Sequence, residues 1–192
     1  MVIGLTGGTG CGKTTALRVL QEMGARCFDA DAVYHDLLRS DEALLAAIEA
    51  AFPGTVENGE LQRKKLGAQV FGDPEKLKRL SAITQPRVAE AIEKKLDGSL
   101  AVIDAIALTE SGLHTLCDHT VAVVAPREAQ IERIMAREGI SRSYAEARVD
   151  AQKSAREFAD SCEYVLYNDG TAEEFRVQCR NLFEKLVKEK EI

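Results

Sequence analysis

The chain has 192 residues, 45% of them hydrophobic and 29% charged, with a net charge of −6. That is enough for one globular domain with a core of its own, and the acidic balance argues against nucleic acid as the main partner. No apolar run approaches the ~20 residues of a membrane span, and the five cysteines (Cys11, Cys27, Cys117, Cys162, Cys179) form no C-x-x-C pair, so neither a disulfide framework nor a zinc site is indicated.

The first element is Val2-Ile3-Gly4-Leu5, an apolar run too short for the core of a signal peptide. Together with the reduced thiols that the cysteines suggest, this points to the cytoplasm. The run leads straight into Gly7-Gly8-Thr9-Gly10-Cys11-Gly12-Lys13-Thr14, the pattern G-x-x-x-x-G-K-T, and an amphipathic run over residues 16–20 follows. Strand, glycine loop and helix in this order make a phosphate cradle. The glycines let backbone N–H groups turn inward, and the helix adds its positive end. Gly8, Gly10, Cys11, Gly12 and Thr15 are read as phosphate-binding, Lys13 as reaching the terminal phosphates, and Thr14 as holding magnesium. The thiol of Cys11 lies near a helix N-terminus and Lys13, so it is expected to be acidified and the most reactive of the five. The alternative is a position that merely tolerates a small side chain.

The second strand, Arg26–Asp29, ends in Phe28-Asp29-Ala30-Asp31. Ligands in open parallel sheets bind beyond the carboxyl ends of strands, so Asp31 is a candidate general base for an attacking hydroxyl. The competing reading makes Asp29 or Asp31 the N-cap of the helix that follows.

Residues 32–98 separate the second strand from the third and read as almost wholly helical, which suggests an inserted subdomain over the sheet's edge. Asp73-Pro74 opens one of its helices as N-cap and first helical residue, and Pro86 is expected to kink or end it. Residues 61–97 carry nine Lys/Arg against five Asp/Glu, an excess of +4 in an acidic chain. Such a run is either a solvated face or an attractor for a polyanionic small substrate.

The third strand, residues 100–104, is apolar and ends in Asp104, the usual form of the acid that holds magnesium beside a phosphate loop. Ala105 follows where a water-activating glutamate would favour hydrolysis. A fourth strand is read at residues 120–124 and a fifth at Tyr164–Tyr167. Between them, residues 139–161 form an arm bearing Arg142, Arg148 and Arg156, with Arg137 just before it and Ser143 to Glu146 as a capping box. Arginines on such an arm close over a nucleotide as a lid, or simply lie on a wet helix. Asn168-Asp169-Gly170 is a turn, or the place where an adenine ring rests.

These residues together resemble the dephospho-coenzyme A kinase family over nearly the whole chain. The resemblance is carried by residues 4–15, Asp29-Ala30-Asp31 with His35, Leu61-x-Arg63, Val70-Phe71, Asp73-Pro74, Glu110-Ser111-Gly112-Leu113, Gln152, and Tyr164-Val165 with Asn168 and Gly170. Departures are Gln85-Pro86 where the family has His-Pro, and residues 105–109 without the family's proline. The resemblance implies an α/β fold: a P-loop nucleotide kinase-like, parallel five-stranded sheet with helices on both faces. The nucleotide-binding core would be residues 1–31 and 99–192 with a lid at about 139–161, and residues 32–98 the helical coenzyme A-binding insert. It implies phosphorylation of the ribose 3′-hydroxyl of dephospho-coenzyme A by ATP with Mg2+. Asp31 and Lys13 would be catalytic, Arg137 and Asn168 would contact the nucleotide, and Thr14 and Asp104 the metal. A cytoplasmic monomer is expected, with weak self-association allowed. The rivals are a kinase of another small metabolite, such as a sugar acid or nucleoside phosphate, and a nucleotide-dependent switch acting on a partner protein.

Overall fold

The computed structural model describes residues 1–189, which divide into two units: residues 1–28 with those from 97 onward, and residues 29–96. The first unit is built on a five-stranded sheet of β1 (Val2–Thr6), β2 (Arg26–Asp29), β5 (Ala101–Asp104), β6 (His119–Val124) and β7 (Tyr164–Tyr167), in the order β2-β5-β1-β6-β7. β1 pairs in parallel with both β5 and β6, and β6 with β7. β1 is therefore central, and the loop that leaves it emerges at the carboxyl end of the sheet.

Alternation along the strands assigns the two faces. Val121 and Val123 of β6 join Ile3, Leu5, Val102 and Leu166 in one core cluster, whereas Ala122 and Val124 face the other side. The first face is covered by α1 (Lys13–Glu22) and α9 (Ala172–Glu189). Ala16, Val19 and Leu20 of α1, and Phe175, Cys179, Phe183 and Leu186 of α9, recur at helical spacing and are buried there. The second face is covered by Phe158 of α8 (Ala155–Asp160), whose start is a full capping box between Ser154 and Glu157. The capping box expected at Ser143 does not form. α7 (Arg142–Asp150) starts two residues earlier, because Ser141 is extended and its hydroxyl accepts the Tyr144 N–H; Glu146 pairs with Arg142 instead.

The second unit holds α2 (Ala30–Ser40), α3 (Glu42–Ala51), a hairpin of β3 (Val56–Glu57) and β4 (Glu60–Leu61), α4 (Arg63–Val70) and α5 (Pro74–Glu93). The hairpin is the non-helical part of a segment read as almost wholly helical: its strands are two residues each, too short to show a pattern. Leu38, Leu44, Leu45, Ile48, Phe52, Leu66 and Val70 form this unit's core. Asp73 caps α5 and Pro74 begins it, as expected. Pro86 does not end α5, which continues unbroken to Glu93. Its buried Thr84, Val88 and Ile92 hold one face in place, and packing against α2 and α3 outweighs the ~3 kcal/mol that an interior proline costs.

Candidate active site

The loop between β1 and α1 is shaped by glycine. Gly7 and Gly12 have φ of 145° and 105°; a Cβ on Gly7 would lie 2.3 Å from the Val123 carbonyl oxygen, and one on Gly12 would lie 2.1 Å from Asn168 Nδ2. No other residue fits either place. Gly12 ends the loop as the N-cap of α1 with no side-chain cap, and the helix has no acid in its first turn. The positive end of α1 thus faces the loop with no carboxylate to offset it, which favours an anion there.

Gly7, Gly8, Thr9, Gly10, Gly12, Lys13 and Thr14 line one cleft of about 430 Å³ together with Ile106, Arg133, Arg137 and Arg148. Lys13 bonds the Asp104 carboxylate at the end of the neighbouring strand, Nζ to Oδ1 2.6 Å. Thr6 Oγ1 donates to the Ile106 carbonyl at 2.8 Å, which fixes the segment after β5 against the loop. A larger cleft of 680 Å³ near α9 is lined by Asp169, Glu173 and Glu174 and by no cation, so it does not suit phosphate.

Arg133 is the residue that the sequence reading missed. From α6 (Arg127–Glu138) it donates to the carbonyls of Gly10 and Asn168, each at 3.3 Å, and to Asn168 Oδ1 at 3.2 Å. Its spacing of four from Arg137 puts both on one helix face; that periodicity was the available signal. Arg137 and Arg148 meet at Glu138, which bonds both. The hydrogen bond from Arg137 is the leading cause that holds the Glu138 carboxyl below its usual range. Arg142 is occupied by Glu128 and Glu146, and Arg156 pairs with Asp160 in a largely exposed position; neither lines the cleft.

Three of the expected nucleotide contacts, Cys11, Asn168 and Thr15, do not line the cleft. Cys11 is 1% exposed, and its side chain belongs to the core beneath the loop. Burial raises its thiol pKa, outweighing the backbone hydrogen bond and charge at Lys13, so it is not an acidified, accessible thiol. Asn168 is buried, and its side chain is committed within the protein: Nδ2 donates to the Cys11 carbonyl at 2.9 Å while Oδ1 accepts from Arg133. It clamps the loop. Thr15 is not among the residues lining the cleft, whereas Thr14 is and is exposed.

The acidic pair after β2 is resolved by its hydrogen bonds. Asp29 Oδ1 accepts the N–H groups of Asp31 at 2.9 Å and Ala32 at 3.0 Å, so Asp29 is the N-cap of α2. Asp31 lies in the first turn with an exposed side chain, in the unit of residues 29–96. In the same unit Arg63 Nη2 lies 3.3 Å from His35 Nδ1, and Arg63 lines a cleft with Arg39 and Leu61.

A family model described as dephospho-CoA kinase matches residues 1–174. The chain is 36% identical to a dephospho-CoA kinase of Carboxydothermus hydrogenoformans, across 96% of this chain and 93% of that one. Among solved structures it is similar to TT1252 from Thermus thermophilus, with 33% identity and a TM-score of 0.75 over 98% of this chain and 97% of that one. It also shares its fold with a dephospho-CoA kinase from Campylobacter jejuni, at 23% identity and a TM-score of 0.69 over 98% of each chain.

Proposed function

Because the chain belongs to the dephospho-CoA kinase family, we propose how its residues divide the work of the reaction. That reaction moves the γ-phosphoryl group of ATP to dephospho-CoA, giving CoA and ADP, in CoA biosynthesis. The protein is a phosphotransferase with an alcohol as acceptor.

The proposal rests on one observation: the glycine loop, Lys13, Thr14 and three arginines line a single cleft. In it, the N–H groups of the loop and of the start of α1 bind the phosphate chain. Lys13 leaves Asp104 for the transferring group, where a fixed cation stabilises charge that grows in the transition state. Arg133, Arg137 and Arg148 offset the remaining charge. Asp31 accepts the proton of the attacking ribose 3′-hydroxyl. It begins the unit of residues 29–96, the basic helical insert that we assign to the CoA portion. Residues 139–161 serve as the lid.

The oxygen donors present, the Thr14 hydroxyl and the Asp104 carboxylate, suit a hard cation such as Mg2+. Those two residues would hold it. Bound there, Mg2+ would neutralise charge on the phosphate oxygens. Among the described residues no cluster of three or more His, Cys, Asp or Glu could hold a metal ion. Among the described residues no helix is long and apolar enough to cross a membrane; the working reading is a cytoplasmic monomer acting on small molecules.

The test is to mix protein, ATP, Mg2+ and dephospho-CoA and follow ADP. ADP that appears only with the acceptor supports the assignment. ADP formed at the same rate without it would overturn the assignment.

A further inference from the structure

Thr9 stands in the wall of the phosphate cleft, and its polar groups are engaged by a side chain from outside the loop. Gln152, between α7 and α8, accepts the Thr9 N–H at Oε1 (2.8 Å) and donates from Nε2 to Thr9 Oγ1 (2.9 Å). The orientation of this amide follows from its partners. A backbone N–H only donates, so the oxygen must face it, and the amide nitrogen is left to face the hydroxyl. A Cβ on Gly8 would lie 3.1 Å from Gln152 Oε1, so the loop is also shaped to admit this amide.

The hydroxyl of Thr9 therefore acts as acceptor toward Gln152, and its own hydrogen remains for a donor bond. Thr9 shares its cleft with Lys13 and Thr14, where the acceptors that arrive are phosphoryl oxygens. A hydroxyl already accepting one hydrogen bond donates a stronger second one.

We infer that Gln152 is a positioning residue for phosphoryl transfer: it turns the Thr9 hydroxyl so that its hydrogen is presented to the transferring phosphoryl group. This rests on the phosphate-cleft reading above. A plain structural pin is the competing account, and it predicts different behaviour. A pin would act through the arm as a whole. The arm has a second fastening at the adjacent residue, the Lys153–Glu110 ion pair. Breaking that pair loosens the same segment without touching Thr9.

The experiment measures kcat and KM for ATP, with thermal midpoints, for Gln152→Ala, Thr9→Val, their double variant, Thr9→Ser and Lys153→Ala. Losing a group that orients a reacting partner typically costs ~10–100-fold, so Gln152→Ala and Thr9→Val should each lower kcat by about that factor and shift KM for ATP by less than about threefold. The double variant should be about as slow as the slower single variant, because both act on kcat through the Thr9 hydroxyl. Thr9→Ser should stay within about twofold of the parent, as conservative changes do, and Lys153→Ala should slow kcat clearly less than Gln152→Ala does. The inference is overturned by unchanged kcat in Gln152→Ala, by losses that multiply in the double variant, or by a loss confined to KM or to the thermal midpoint. It is equally overturned if Lys153→Ala slows kcat as much as Gln152→Ala. If Gln152→Ala does not fold, full activity in Thr9→Val overturns it. A parent enzyme that makes no ADP from ATP and dephospho-CoA would sink the cleft reading itself, whereas an active parent with an indifferent Gln152 sinks only this inference.

Discussion

Lys13 Nζ lies 2.6 Å from Asp104 Oδ1, with side chains only 18% and 16% exposed. The carboxylate at the end of β5 thus holds the cation at the start of α1 in the wall of the cleft. A partly buried, paired charge left alone is costly, so the two residues are not equivalent when removed. Lys13→Ala should abolish turnover while the fold survives, since it deletes charge stabilisation at the transferring group. Circular dichroism and ADP release check this together; a folded variant with normal kcat would remove Lys13 from the mechanism. Asp104→Asn should raise the Mg2+ concentration needed for half-maximal rate, and an unchanged Mg2+ titration would take Asp104 out of the metal site.

Asp29 and Asp31 should separate cleanly. Asp31→Asn keeps the side-chain size but cannot take a proton, and general-base work is worth ~10²–10⁴-fold, so kcat should fall by that range with KM for ATP held. Asp29→Ala removes the oxygen that caps α2 and should cost ~1 kcal/mol of stability. Denaturant midpoints and kinetics on both variants decide it: an Asp31→Asn variant that loses stability but keeps its rate would make Asp31 a structural residue.

Reversing charge in the basic insert, Arg63→Glu with Lys64→Glu, should raise KM for the acceptor and spare that for ATP. Arg63 has an imidazole beside it, His35, and no carboxylate closes an ion pair with it among the described residues, so it is available to an anion. An unchanged acceptor KM would return both residues to a solvated face.

The arginines of the cleft should also divide. Arg133→Ala removes donors to Gly10 and Asn168 and a cation from the cleft, and should weaken ATP binding by ~10-fold or more, the scale of hydrogen bonds to charged groups. Arg142→Ala breaks only exposed pairs with Glu128 and Glu146 and should change ATP binding by less than about twofold. Equal effects of the two in a nucleotide titration would dissolve the distinction.

The cysteines make a prediction in pH. Burial pushes the Cys117 and Cys179 thiols up to about 12 and raises those of Cys11 and Cys162 as well. The folded pKa values lie above the unfolded value of about 8.5, so the unfolded chain loses its thiol protons first. This contribution to stability is complete below about pH 8 and is lost as the pH rises toward 12. Denaturant midpoints should fall from pH 8 to pH 10, less steeply in Cys179→Ala; identical slopes would refute the linkage. In alkylation followed by mass spectrometry the exposed Cys27 should react first and Cys11 among the last. Fast, nucleotide-sensitive labelling of Cys11 would contradict its burial.

The sequence alone determined the parts whose cause is local. Glycine spacing, the short apolar run before it and the amphipathic run after it specify strand, phosphate loop and helix, because each is written in residues adjacent in the chain. The same holds for the strands at Val2–Thr6 and Arg26–Asp29 and for the cap of α5 at Asp73. What only the tertiary structure decided depends on partners distant in the chain. Cys11 looks reactive beside Lys13 until the packing of α1 and α9 closes over its thiol. Asn168 looks like a turn residue until folding brings its amide to Cys11, 157 positions away in sequence. Arg133 shares a helix face with Arg137, and Gln152 belongs to the residues of the family resemblance, but what each side chain touches is set by the parallel order β1-β6-β7, which returns their segments to the loop. Pro86 carries a local stop signal that helix packing overrules. Local pattern sets which element forms, whereas long-range burial and hydrogen bonding set which side chains of that element face the chemistry.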